Sequence, residues 1–104
     1  MINLNEHATE AQTIAINRWL KKGVEYKTPA ILKHYAGEVC EAVEAYNEYK
    51  FEPYELKKEK LAGELADIIT CALIAAANED IDIEKALQEC QQKNEARAME
   101  GQND

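Results

Sequence analysis

Apolar residues recur at intervals of three and four through most of this chain, the periodicity of helices that each bury one side. Ala8, Ala11, Ala15 and Trp19 set that spacing in a first helix, predicted over Asn5–Lys22 and stopped by Gly23. After a linker, Val24–Lys27, Thr28 is placed to cap a second helix with Pro29 in its first turn, where a missing N–H costs nothing. This helix is expected to reach Lys50 and to bury a stripe of Leu32, Tyr35, Ala36, Val39, Val43 and Tyr46. A break at Phe51-Glu-Pro precedes a third helix, Tyr54–Asn78. Asp82 then caps a last one that carries Ile83, Ala86, Leu87 and Cys90 inward. Continued by helical spacing, that inward face turns cationic at Lys93, Asn94 and Arg97, and the tail from about residue 98 is expected to fray. No stretch alternates as a strand does, so the expected fold is all-α: a single-domain, four-helix-bundle-like protomer over residues 1–104.

The third helix departs from simple amphipathicity. Its first turns are charged, but Ile68-Ile-Thr-Cys-Ala-Leu-Ile-Ala-Ala-Ala is ten uncharged residues long and covers every side of a helix. A run of this length is too short to cross a bilayer, so no membrane partner is expected. A small bundle leaves each helix one open side, so burial all round implies packing against another copy, a homodimer at minimum.

Composition narrows the partners. The chain has 104 residues, 46% of them apolar and 31% charged, the balance of a folded globular domain. A formal charge of −8 argues against a nucleic acid polymer as partner, because grip on a phosphate backbone normally relies on a basic surface. A small anion held through metal ions is still allowed. Cys40, Cys71 and Cys90 form no C-x-x-C and suit a reducing interior as free thiols. With no basic, then apolar, leader at Met1-Ile-Asn-Leu-Asn-Glu, a cytoplasmic location is expected.

Two acidic pairs carry the candidate chemistry. Glu38-x-x-Glu41 and Glu64-x-x-Asp67 each place two carboxylates on one side of a helix. Either pair alone is more often a solvated face. Glu64 and Asp67, however, stand directly before the apolar run, where a partly buried carboxylate needs a partner or a cation. Four carboxylates brought together by adjacent helices repel one another unless a cation lies among them. Hard oxygen donors without paired His or Cys suit Mg²⁺, with Mn²⁺ as the alternative.

These residues stand in a recognisable order. Ala36-Gly-Glu-Val-Cys-Glu, Glu64-Leu-Ala-Asp, Asp80-Ile-Asp-Ile-Glu-Lys-Ala and Lys93-Asn-Glu-Ala-Arg97 resemble the successive motifs of the MazG-type all-α nucleoside triphosphate pyrophosphohydrolases, over about residues 14–98. The resemblance implies a Mg²⁺-dependent enzyme that cleaves a (deoxy)nucleoside triphosphate to monophosphate and pyrophosphate. It implies Glu38, Glu41, Glu64 and Asp67 as metal ligands, and Lys93, Asn94 and Arg97 as contacts to the nucleotide. Glu41 is implied as the acceptor of the attacking water's proton. For so short a chain it also extends to a tetramer built from two dimers. One position departs from the pattern: Gly37 stands where the family commonly carries a further Glu before the first ligand. That departure favours an alternative, a weak or inactive relative that serves as a nucleotide-binding or helical protein-interaction module.

Other side chains are lesser candidates. His34, one turn before Glu38, can reach a phosphate, though a surface role is commoner. Trp19 and Tyr35 can stack on a nucleobase, though aromatic residues at helical spacing more often pack a core. Arg18, Lys21 and Lys22 form a basic end to the first helix, which also complements its dipole. A di-iron carboxylate bundle is discounted, since it calls for Glu-x-x-His on two helices and this sequence has none.

Overall fold

The computed structural model describes residues 3–22 and 27–101, in four helices with no strand among the described residues: α1 (Leu4–Lys21), α2 (Thr28–Phe51), α3 (Glu55–Asn78) and α4 (Ile83–Met99). The expected stop at Gly23 and most of the linker lie outside the described residues. Helix α1 begins one residue earlier than predicted because the Asn3 side chain accepts from the backbone N–H groups of Asn5 and Glu6, both at 3.1 Å. In α2 the cap is Lys27, without a side-chain hydrogen bond, and Thr28 is already helical. The Thr28 hydroxyl instead donates to Glu79 Oε2 at 2.6 Å, pinning the start of α2 to the end of α3. Asp82 caps α4 as expected, accepting from the Lys85 N–H at 3.1 Å. The helix runs on to Met99, so residues 98 and 99 belong to it rather than to a frayed tail.

Helix α3 ends in a Schellman motif. Ile81 N–H donates to the Ala76 carbonyl at 2.9 Å and Asp80 N–H to that of Ala77 at 3.3 Å. The left-handed residue this requires is Asp80, at φ 53°, where glycine is the usual occupant.

Helix α3 is the centre of the fold. It pairs antiparallel with α2, from Thr28–Glu79 at one end to Lys57 and Lys60 around Glu48 at the other. It also packs on α1, where Gln12 Nε2 donates to Asn78 Oδ1 at 2.7 Å. Ala15, Ile31, Cys71 and Ile74 form the core where the three helices meet, with Ala11, Trp19 and Ala75 packed against it. The apolar run of α3 is only partly covered within one chain: Cys71, Leu73, Ile74 and Ala76 are buried, while Ile69 is 58% exposed. Over Glu55–Asn78 this helix is long and apolar enough, by length and composition, to cross a membrane, although Glu64 and Asp67 lie within it. A helix at the centre of a core has the same composition.

Two expectations about buried faces are corrected. In α2 the buried residues are Ile31, Glu38, Ala42 and Ala45, the flank on which the first acid sits. The predicted stripe faces out: Leu32, Val43 and Tyr46 are 52%, 55% and 49% exposed. Alanines let α2 and α3 approach closely, whereas the larger stripe would hold them apart. The second correction concerns α4, which has no buried residue. Leu87 and Cys90 are exposed, and the cationic continuation at Lys93 and Asn94 faces solvent with them. Helix α4 is fastened at its beginning: Leu4 N–H donates to Glu84 Oε1 at 2.6 Å, Asn5 Nδ2 to Asp82 Oδ1 at 2.9 Å, and Ile83 N–H to Asn5 Oδ1 at 3.0 Å. Its projection from the other three helices accounts for a radius of gyration of 16.2 Å, against about 13 Å for a compact domain of this length.

Candidate metal centre and adjoining groove

The close approach of α2 and α3 decides the site. Glu38 and Glu41 come from one turn of α2 and Glu64 from α3, and each offers a carboxylate oxygen within 4.8 Å of the others. Glu38 is only 9% exposed. Glu38 Oε2 and Glu64 Oε2 are buried with no hydrogen-bond partner. Two buried carboxylate oxygens without a partner are costly to leave unsatisfied. Burial and then the neighbouring Glu41 charge push the Glu38 carboxyl above its ordinary range, with Asp67 adding to the rise and His34 opposing it. Burial and Glu41 raise Glu64 in the same way. Hard oxygens, like charge and unmet coordination together fit a divalent cation of the Mg²⁺ type.

The fourth predicted ligand lies just outside this set. Asp67, one turn after Glu64, is exposed and lines a groove beside Glu38, close enough for its charge to raise Glu38 and Glu64. The groove, about 960 Å³, is walled by α1 and α2 and floored by α3. His34 and Trp19 stand in its walls. His34 Nε2 lies 3.0 Å from Glu38 Oε1, and the Trp19 and His34 rings meet edge to face at 5.8 Å. Trp19 thus packs on the core and lines the groove at once. Burial raises the Cys71 thiol in the groove floor, so it stays protonated there.

Other candidates are not brought to this place within one chain. Lys93, Asn94 and Arg97 lie on α4, which does not line the groove. Asn94 Nδ2 is 3.8 Å from the Cys90 sulfur. Tyr35 lies on the outward side of α2 and lines no part of the groove. Lys33, which sequence reasoning passed over, lines it beside His34. The signal was present, since Ala30, Lys33, His34, Gly37 and Glu38 follow one helical face. Gly37 lines the groove too, and a Cβ built there meets nothing within 4 Å.

The description of the MazG nucleotide pyrophosphohydrolase domain matches residues 27–101, which takes in both acidic pairs and the whole of α2, α3 and α4. The chain belongs to the MazG family. Comparison with curated proteins and with solved structures gave no match. The MazG assignment and the acidic group agree in kind: the family is one of nucleotide pyrophosphohydrolases, and the three converging carboxylates are a group that could hold a metal ion.

Proposed function

We propose that this MazG-family chain is a Mg²⁺-dependent nucleoside triphosphate pyrophosphohydrolase that cleaves its substrate at the α-phosphorus, releasing monophosphate and pyrophosphate. The observation that carries the reading is the pair of orphaned, buried oxygens on Glu38 and Glu64 within a three-carboxylate group. A bound Mg²⁺ would supply charge neutralisation at the phosphates and a water of lowered pKa. Glu38, Glu41 and Glu64 would hold it, with Asp67 at the groove side. Glu41, the exposed member of the three, would accept the proton of the attacking water. Glu38 is oriented by His34 at 3.0 Å, and Trp19 offers the groove an aromatic edge for a base.

The same reading includes assembly. Leu32, Val39, Val43 and Tyr46 are 52%, 36%, 55% and 49% exposed along one side of α2, and Leu65 and Ile69 are 49% and 58% exposed on α3. Apolar surface of this extent supports a homo-oligomer, a dimer or a pair of dimers. In such an assembly Lys93, Asn94 and Arg97 would serve the site of a neighbouring copy. The three cysteines are free, in keeping with a reducing, cytoplasmic setting.

Pyrophosphate release from a panel of nucleoside triphosphates, with and without Mg²⁺, tests the assignment. Hydrolysis that survived both chelation and Glu38→Gln would sink it. Gly37 supports a second reading, a slow or inactive nucleotide-binding relative, because it leaves open space where the family commonly places a further acid. Saturable nucleotide binding with no pyrophosphate release, restored by Gly37→Glu, would favour that reading.

A further inference from the structure

The groove carries a charge pattern that the metal centre does not explain. Arg18 of α1, Lys22 at its C-terminal cap and Lys33 of α2 line the same groove as Glu10, Glu38 and Asp67. None of these three cations has an ion pair or hydrogen bond among the described residues. Elsewhere lysines near acids are paired, as Lys57 and Lys60 are with Glu48. Three cations without a partner among the described residues stand around one groove of a chain of net charge −8, so their charge is available to a polyanion that enters there.

Their register fixes what they can reach. Arg18 flanks Trp19 in sequence and Lys33 flanks His34, the two rings meet at 5.8 Å, and His34 touches Glu38 at 3.0 Å. The cations therefore stand on both walls of the groove that Glu38 lines, Arg18 and Lys22 on the α1 wall and Lys33 on the α2 wall. Gly37 leaves the intervening wall without a side chain, and the space a Cβ would enter is open. A mid-helix glycine costs about 1 kcal/mol against alanine, and nothing in the packing among the described residues requires one there.

We propose that Arg18, Lys22 and Lys33 form a polyphosphate subsite, which holds the part of a phosphate chain extending beyond the metal-bound phosphate. The inference rests on the reading of the acidic centre as a Mg²⁺ site, and it assigns substrate selection by phosphate-chain length to residues outside α4. A triphosphate engages the cations; a monophosphate held at the metal alone does not.

Titration calorimetry with inorganic triphosphate and with inorganic phosphate, each in the presence of Mg²⁺, separates this proposal from the catalytic one. The expected result is tighter binding of triphosphate, weakened roughly 10- to 100-fold by Arg18→Gln, Lys22→Gln and Lys33→Gln combined. Phosphate binding and the Mg²⁺-dependent shift in Tm should stay unchanged. A charge-preserving variant, Arg18→Lys, Lys22→Arg and Lys33→Arg, should retain most of the affinity and controls for folding. Triphosphate affinity that is equal in the neutralised variant, or absent in the native chain, overturns the subsite. Triphosphate binding through the three cations without pyrophosphate release from any nucleotide would overturn the catalytic reading and leave the subsite standing.

Discussion

The two sides of α2 are built on opposite principles. The side packed against α3 consists of Ile31, Ala42, Ala45 and one acid, Glu38, while the side away from it carries Leu32, Val39, Val43 and Tyr46. A monomer optimised for its own stability would bury the larger residues, since apolar burial is worth about 25 cal/mol per Å². Here the intimate contact uses small side chains and so brings Glu38 and Glu41 within reach of Glu64. The bulky face is left exposed in the single chain. Close packing gathers the acids, and the exposed apolar area is the surface that the proposed assembly would cover.

The largest effect expected from testing that contrast falls on the inner side. Glu64→Gln should lower metal-dependent pyrophosphate release by about 100- to 1000-fold while raising the Tm of the metal-free protein, because it removes a repulsive charge. A fall in metal-free Tm would mean that Glu64 is a structural anchor instead. Next come substitutions that load one side at a time. Ala45→Leu, at a position 1% exposed, should cost about 1–3 kcal/mol by overpacking, read as a lowered urea midpoint at every protein concentration. Val43→Asp on the outer side should lower Tm only at concentrations where the native chain is associated, with sedimentation showing smaller species. Equal sedimentation of native and variant chains would remove the assembly argument.

Acidity separates the inner side from the rest of the molecule. Glu38 and Glu64 bind protons more tightly folded than unfolded. Metal-free stability contributed by this pair should therefore rise as pH falls from neutral toward their ordinary value of 4.5, and Mg²⁺ should flatten that slope by competing with protons. Asp82 has the opposite sign. The Asn5 side chain, then the Lys85 N–H, hold it below its ordinary 3.8, so its contribution is present above that value and is lost as pH falls through the lowered one. Tm measured in chelator from pH 7 to pH 3 should accordingly rise and then drop. The smallest effect is Asp80→Gly, which relieves a left-handed aspartate and should stabilise by about 0.5–1 kcal/mol, checked by chemical denaturation.

Much of this architecture is legible in the sequence, and the failures share one cause. Helical periodicity, the Asp82 cap and the Phe51-Glu-Pro break are local signals, and the helices follow them within a residue or two. The all-α fold and the MazG family follow from such signals taken in order. Choosing which side of α2 packs on α3 is a non-local question. Leu32, Val39, Val43 and Tyr46 mark a face that wants cover without saying what covers it, and the small residues that permit close approach look weak by hydrophobicity alone. The inward turn expected of α4 fails for the same reason. Ile83, Ala86, Leu87 and Cys90 have helical spacing, but three helices already enclose the core. The meeting of Glu38, Glu41 and Glu64 was accessible from spacing once α2 and α3 were taken as neighbours. The place of Asp67 just outside that set depends on coordinates.

The attachment of α4 has a mechanical consequence. Hydrogen bonds among Leu4, Asn5, Asp82, Ile83 and Glu84 join the beginning of this 17-residue helix to the start of α1. Such a helix is roughly 25 Å long, so a small change of angle where an asparagine amide and two carboxylates hold it is magnified at its other end. A tilt of about 10° there carries the Met99 end through roughly 4 Å. The direction in which α4 carries Lys93 thus depends on the first residues of α1, at the far end of the helix that bears it.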